Sequence, residues 1–88
     1  MDITDYCDII NTIIDVHYIP NQEKRWMAKF EDCEVMVRGM LAVYHGNGHT
    51  PDEAILDYIE QIKGKRIAFN AYRDNRVEYD VPENLSYK

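Results

Sequence analysis

The segment HGNGHTPDEA, residues 45–54, holds the densest set of side chains able to take part in chemistry. His45 and His49 stand four residues apart, and Asp52 adds a carboxylate. Imidazole and carboxylate groups are frequent ligands of zinc and other transition metals. Here the two histidines enclose a glycine-rich GNG, and no pattern holds the three groups in one geometry. Metal binding by His45 and His49 therefore stays an alternative, and we expect no cofactor.

The second half of this segment, TPDEA, is predicted to begin a helix that continues through TPDEAILDYIEQIKG. Thr50 suits the N-cap, Pro51 the first helical position, and Glu53 completes a capping box. Gly64 is placed to end the helix in a left-handed conformation. Asp52 and Glu53 would repel an anion at this helix start, so the GNG sequence does not indicate a phosphate loop.

A stripe of apolar residues near the N-terminus predicts a first helix over residues 3–17. Its members recur at steps of three and four residues: Ile3, Tyr6, Cys7, Ile10, Ile13, Ile14 and His17. Aspartates crowd its first turns, where negative charge complements the helix dipole. Pro20 disfavours helical geometry at Ile19, so the helix should end before YIPNQE.

Alternating segments predict the strands. They are KRWMAKF, EVMV after a tight EDC turn, RGMLAVYH with Gly39 as a bulge or bend, KRIAFNAY, and RVEYDV. Pro82 should stop the last strand, leaving residues 83–88 as a frayed tail. The order α-β-β-β-α-β-β predicts an α+β fold with one antiparallel sheet and two helices packed against it. We expect residues 1–88 to form a single α+β domain.

The charge of the chain is uneven. The 88 residues carry a net charge of −6. Residues 1–60 hold 12 acidic and 4 basic side chains, a net of −8, whereas residues 61–88 hold 4 acidic and 6 basic ones. An acidic front repels a phosphate backbone and favours a basic protein surface, although charge also serves solubility alone.

The cysteines and the N-terminal residues indicate the cellular compartment of the protein. Cys7 and Cys33 are far apart and form no CxxC pair, which argues against a disulfide framework or a structural zinc site. We expect neither thiol to be a nucleophile. MDITDYCDII lacks the basic segment and apolar run of a signal peptide, and no stretch approaches the length of a membrane span. We therefore expect a cytoplasmic protein with no membrane partner.

Two acidic groups form the predicted partner-binding site. Asp5, Asp8 and Asp15 belong to the first predicted helix, and Glu31, Asp32 and Glu34 to the first predicted hairpin. If both groups lie on one side, their charges would suit an Arg- and Lys-lined nucleic-acid channel and exclude its natural ligand. The alternative is a solvated helix face and a polar turn.

A basic group near the C-terminus offers another reading. It contains Lys63, Lys65, Arg66, Arg73 and Arg76, interleaved with Phe69 and Tyr72. Basic residues among aromatic ones hold single-stranded nucleic acid in many proteins, so weak binding of this kind is kept as an alternative. Glu78 and Asp80 lie alongside and reduce the local positive charge.

Residues 24–62 resemble the HicB-type antitoxin domain, in which a three-stranded meander leads through a glycine-containing loop into a helix that opens TPEEA. This chain has GHTPDEAILDYI at the matching place. The resemblance implies a protein that binds and neutralises an RNase toxin. In size and charge the chain also looks like small phage-encoded inhibitors, including anti-CRISPR proteins.

The sequence thus predicts a non-enzymatic, acidic protein that binds and inhibits a basic nucleic-acid-handling protein: a nuclease, a CRISPR effector or an RNase toxin. Direct nucleic-acid binding is not expected from the acidic front. Pairing of two copies through a strand edge is left open, because the sequence does not show which edge is exposed.

Overall fold

The computed structural model describes residues 1–87. That part of the chain has an α+β fold, as predicted. Its elements are α1 (Ile3–Ile10), β1 (Ile14–Tyr18), β2 (Trp26–Phe30), β3 (Cys33–Val37), β4 (Met40–Ala42), β5 (Gly46–Gly48), α2 (Pro51–Ile62), β6 (Arg66–Phe69) and β7 (Val77–Asp80). No helix within residues 1–87 is both long and apolar enough to cross a membrane.

The strands form two antiparallel sheets, so the prediction of one sheet is wrong. The first sheet has the order β1-β2-β5 and the second has the order β4-β3-β6-β7. β2 and β3 follow each other through a short turn, yet they do not pair. The reason is that β1 and β5 occupy both sides of β2, and neither was recognised as a strand from the sequence.

The first helix is half as long as predicted. It ends at Ile10 because Asn11 adopts a left-handed conformation (φ 54°), and the Asn11 backbone N–H bonds the Cys7 carbonyl. Residues 14–18 form β1 instead, with Ile14 opposite Phe30 and Val16 opposite Ala28. The apolar residues beyond the helix fit a spacing of two as well as a spacing of four, and the core of the sheet selects the strand.

The predicted strand over RGMLAVYH is shorter than expected, because only Met40–Ala42 of it form a strand. Arg38 (φ 52°) and Gly39 (φ 79°) both have positive φ and form the tight turn between β3 and β4. β4 is three residues long, and β5 follows as a separate strand in the other sheet. The GNG of the HGNGH segment therefore forms a strand, which the sequence analysis did not predict.

α2 confirms its prediction at both ends. The Glu53 backbone N–H donates to Thr50 Oγ1 at 3.1 Å, and the Glu53 carboxylate accepts from the His49 backbone N–H at 3.3 Å. Pro51 is the first helical residue, and Gly64 has the expected positive φ of 73°. This helix covers the first sheet, where the Tyr58 ring meets the Phe30 ring edge to face at 5.3 Å.

The segment after β7 is ordered against the N-terminus, so a frayed tail is wrong for residues 83–87. Leu85 is buried, and the Ile3 backbone N–H donates to the Ser86 carbonyl at 2.7 Å. The Tyr87 hydroxyl donates to Asp52 at 2.9 Å. Lys88, which the prediction also included, lies outside the described residues.

Candidate protein-binding surface

The six acidic residues that the sequence grouped as a binding site lie on four parts of the fold: α1, β1, the turn after β2, and β3. Asp5 and Asp8 are exposed on α1, and Glu31 and Asp32 are exposed in the turn after β2. Asp15 is not on the helix, because its segment forms β1, and it stands opposite Lys29 of β2. The placement of all three aspartates on one helix is therefore wrong.

Glu34 also differs from the exposed acids. It is half-buried on β3, and its Oε2 atom is shielded from solvent without a hydrogen-bond partner among the described residues. Glu34 lines a cavity of about 260 Å³ together with Lys29 and Arg73. Asp32 lines the same cavity. Because Glu34 is half-buried, the accessible acids are the four exposed ones: Asp5, Asp8, Glu31 and Asp32.

Glu31 and Asp32 line an open groove of about 370 Å³ between the end of α1 and the second sheet. Ile10 and Ile13 line one side of it, and further lining side chains come from β6 and β7: Phe69, Val77 and Tyr79. Ile13 is 61% exposed and Val77 is 42% exposed. Apolar groups that stay accessible beside charged ones are typical of protein-binding surfaces.

Local structure explains why the two carboxylates stay exposed at this groove. Asp32 has a positive φ of 54°, a conformation that aspartate tolerates better than most residues. The turn brings Asp32 next to Asn70, whose backbone N–H donates to the Asp32 carbonyl at 3.4 Å. The Glu31 backbone N–H donates to the Ile13 carbonyl at 3.0 Å, which ties the turn to the start of β1.

The four accessible acids differ from Asp2 in their contacts. No salt bridge involves Asp5, Asp8, Glu31 or Asp32 among residues 1–87. Asp2, by contrast, caps α1, where its Oδ1 accepts from the Thr4 backbone N–H at 2.9 Å. We call the groove lined by Glu31 and Asp32 the acidic groove; Asp5 and Asp8 lie on α1, whose last residue, Ile10, also lines it.

His45 and His49 do not converge on one point. They flank the extended strand β5, and four residues of extended chain span roughly 13 Å. His45 Nδ1 lies 2.9 Å from Asn47 Oδ1. Within residues 1–87, no three His, Cys, Asp or Glu side chains are grouped closely enough to hold a metal ion.

The glycines between the histidines have a structural purpose. A Cβ added to Gly46 would stand 2.1 Å from the Ala54 carbonyl oxygen, and one added to Gly48 would stand 2.5 Å from the Ala54 nitrogen. Real Cβ contacts are never so short, so β5 and α2 touch backbone to backbone only because these residues lack side chains. The GNG sequence signals close strand-to-helix packing.

Both thiols are held in the protonated form. Burial raises the pKa of Cys33 to about 11, although Lys29 nearby opposes the shift. Burial and the negative charge of Asp8 also raise the pKa of Cys7. A protonated thiol is a poor nucleophile and a poor metal ligand at neutral pH.

The C-terminal basic group is largely engaged with acids of its own chain. Arg66 forms salt bridges with Glu78 at 2.7 Å and with Asp80 at 2.9 Å, and Arg76 bonds Glu78 at 2.8 Å. The remaining contacts belong to two lysines: Lys63 pairs with Glu60, and Lys65 donates to the Gln61 carbonyl beside the Tyr44 ring. Arg73 is the residue of the basic group whose side chain makes no salt bridge or hydrogen bond with a described residue.

The apolar part of the acidic groove is what sequence reasoning missed. Its walls come from α1, the turn after β2 and the strands β6 and β7, which are far apart in the chain. No local pattern in the sequence indicates that these segments meet. No family model, curated protein or solved structure matches the chain.

Proposed function

We propose that this protein is a non-enzymatic, cytoplasmic inhibitor that binds a basic region of a nucleic-acid-handling protein through the acidic groove. The observation that carries the proposal is the combination of accessible apolar side chains with exposed carboxylates that form no salt bridge within residues 1–87. Ile13 and Val77 supply exposed apolar area, and Glu31 and Asp32 line the same groove.

Charge and apolar area have separate roles in this proposal. The four accessible acids attract a cationic surface and accelerate encounter. The groove then buries an aliphatic or aromatic side chain of the partner, which lengthens the lifetime of the complex. The best-matched partner segment therefore has Arg or Lys residues next to at least one apolar residue.

Inhibition follows from competition. A surface that binds nucleic acid is lined with Arg and Lys, and carboxylates on the inhibitor can take the positions of phosphates. The net charge of −8 over residues 1–60 also repels nucleic acid from the occupied surface. A nuclease, a CRISPR effector or an RNase toxin has such a surface, and no chemistry is required of the inhibitor.

The experiment compares two triple variants that change the net charge by the same amount. The site variant carries Asp5→Lys, Asp8→Lys and Glu31→Lys. The control variant carries Glu23→Lys, Asp74→Lys and Glu83→Lys, which are exposed and outside the groove. Asp32 is left unchanged because its positive φ suits aspartate better than lysine.

Tagged wild-type protein and both variants are used to capture partners from lysate of the native host, followed by mass spectrometry. We expect wild type and the control variant to capture the same basic protein, and the site variant to lose it at least tenfold. The captured protein is then assayed for nucleic-acid binding or cleavage with each variant. Equal capture or equal inhibition by both triple variants would contradict the proposal.

The identity of the captured protein also decides between the two forms of this function. An RNase toxin would identify an antitoxin of the kind that the resemblance to HicB-type proteins implies. A phage-defence nuclease or CRISPR effector would identify the inhibitor form. Capture of short nucleic acids by the purified protein at low salt would instead favour the basic C-terminal strands.

A further inference from the structure

Three of the four outer sheet strands are short or have an edge contact from elsewhere in the chain. In β5, the outward Asn47 backbone N–H donates to Asp57 Oδ2 at 2.8 Å. In β7, the Asp80 carbonyl accepts from the Tyr6 hydroxyl at 3.4 Å. β4 is only three residues long. β1 is five residues long and has β2 as its only strand neighbour among residues 1–87.

The hydrogen bonds at the two ends of β1 show which of its backbone groups face outward. The Ile13 carbonyl accepts from the Glu31 N–H at 3.0 Å, and the Ile19 N–H donates to the Arg25 carbonyl at 2.6 Å. Because bonded and non-bonded pairs alternate along an antiparallel ladder, the odd-numbered residues point their N–H and C=O groups at β2. The even-numbered residues point theirs away.

Ile14, Val16 and Tyr18 therefore present their N–H and C=O groups on the free side of β1. No backbone hydrogen bond to a described residue occupies that side. The edge contains no lysine, proline or bulge to oppose pairing, and Asp15 is its one carboxylate. It is an edge to which another strand can add.

We propose that the strand added to β1 is β1 of a second copy of this chain, antiparallel to the first. The register places Val16 opposite Val16 of the second copy, and Ile14 opposite Tyr18. Each of these pairs joins residues whose backbone groups face outward, so each can exchange two hydrogen bonds. All five residues of β1 are paired, and the two three-stranded sheets become one continuous sheet.

The same register places Asp15 opposite His17 of the second copy, twice by symmetry. A carboxylate opposite an imidazole accepts its N–H whether the ring is neutral or charged, and such cross-strand pairs stabilise a sheet. Neither side chain makes a salt bridge or hydrogen bond within the described residues. Lys29, opposite Asp15 on β2, extends this polar row.

The two neighbouring registers of the β1 pair are less favourable. Sliding one copy by two residues in one direction sets Asp15 against Asp15, and like charges directly opposite each other destabilise a sheet. Sliding it in the other direction sets His17 against His17. Both shifts leave residues of β1 without a partner. The self-complementary pattern of charge and backbone thus favours one register and a second copy over an unrelated strand.

The added contact also covers apolar surface. Tyr18 is 52% exposed and stacks edge to face on Trp26 with 5.4 Å between ring centres. In the paired sheet it lies across from Ile14 of the second copy on the face that carries Val16. One strand pair is a small interface, so we expect a dimer whose population depends on protein concentration.

Sedimentation velocity from about 5 to 500 µM tests the proposal with matched variants. His17→Asp puts Asp15 opposite a second carboxylate and should weaken dimerisation at least tenfold. His49→Asp makes the same charge change on an exposed residue away from β1 and should dimerise like wild type. Asp15→His combined with His17→Asp exchanges the two partners and should restore dimerisation. Circular dichroism confirms folding of each variant.

A wild-type protein that stays monomeric throughout this range overturns the proposal, as does equal dimerisation of His17→Asp and His49→Asp. If the exchange variant does not fold, amide exchange in wild type replaces it. The Val16 N–H should then exchange at least tenfold more slowly at 500 µM than at 5 µM, and an unchanged rate overturns the pairing. These results are independent of the acidic groove.

Discussion

The two edges of the three-stranded sheet are built in opposite ways. At β5, Gly46 and Gly48 are buried and bring the strand backbone against α2. Side chains of α2 pair with the outward backbone groups here: Asp57 accepts from the Asn47 N–H, and Gln61 Nε2 donates to the His45 carbonyl at 2.8 Å. We therefore call β5 the sealed edge. At β1, larger side chains fill the core, and the outward backbone groups have no such partners among residues 1–87.

The difference shows that side-chain size determines whether a helix can approach a sheet edge and bond its backbone groups. A glycine strand gives up side-chain packing and allows a helix to approach closely enough to satisfy the backbone polar groups. A strand such as β1 contributes Ile14 and Val16 to the core and leaves its edge to solvent or to another strand.

The largest effect is expected from filling the space at the sealed edge. Gly46→Val would place side-chain atoms inside the backbone of α2, and we expect a loss of at least about 3 kcal/mol of the free energy of unfolding, or failure to fold. The control is Gly39→Ala, where no atom lies within 4 Å but φ is +79°. It should cost about 1–2 kcal/mol. Urea unfolding compares them, and equal losses would contradict backbone contact at β5.

The next effect comes from the carboxylate that seals β5. Asp57 Oδ2 accepts from the Asn47 N–H at 2.8 Å and from Gln61 Nε2 at 3.1 Å. Asp57→Ala leaves the Asn47 N–H without its acceptor and should cost about 1–3 kcal/mol in urea unfolding. Asp57→Asn keeps an acceptor oxygen and should retain more than half of that stability. Similar losses in both variants would indicate that charge, not the seal, matters.

Amide exchange measures the contrast directly in the wild-type protein. At about 5 µM, the Asn47 N–H should exchange at least about tenfold more slowly than the Val16 N–H, because a hydrogen bond worth about 1.4 kcal/mol changes an opening equilibrium by that factor. NMR or mass spectrometry after exposure to deuterated buffer gives both rates. Equal rates would remove the distinction between a sealed and an open edge.

Alkaline pH should lower the free energy of unfolding through Cys33, a buried residue of the core. Burial raises the pKa of Cys33 from its ordinary value of 9.0 to about 11. Between these values the folded protein keeps the thiol proton while the unfolded chain releases it, so stability falls as pH rises through this window. From pH 8 to 10 the thiol should contribute a loss of about 1 kcal/mol. Cys33→Ala should show a correspondingly shallower pH dependence in urea unfolding.

The smallest effect is expected from the histidines that flank the sealed edge. Both are exposed, so the double change His45→Ala and His49→Ala should alter the free energy of unfolding by less than about 0.5 kcal/mol. Added zinc should not raise the melting temperature of wild type above that of the double variant. A zinc-dependent rise confined to wild type would show that the histidines bind metal after all.

The sequence was most informative where the signals are local. Thr50, Pro51, Glu53 and Gly64 each act within a few residues, and α2 begins and ends where they predict. The tight turn at Asp32 is similarly short-range, and Gly39, expected as a bulge or bend, lies in the turn between β3 and β4. The exposed acids of the groove turn, Glu31 and Asp32, could also be identified from the sequence, because charged turn residues seldom become buried.

Sequence reasoning failed where two periodicities coincide. The apolar residues from Ile10 to Val16 satisfy both a helical stripe and a strand alternation, and only pairing of Ile14 and Val16 with β2 decides between them. Because of that error, Asp15 was predicted on a helix and the open edge of β1 was not predicted. The three-residue strand β5 was missed because glycine has low strand propensity, and its close contact with α2 is a tertiary property.

The amino-acid sequence by itself determined the α+β class, the position of α2, the short turns and the excess of negative charge in residues 1–60. Each of these depends on residues close in the chain or on composition alone. Tertiary structure decided the division into two sheets, the acidic groove and the contrast between β1 and β5. The physical reason is that β2 takes β1 and β5, and not β3, as its hydrogen-bonded neighbours, and that pairing fixes which side chains and backbone edges remain accessible.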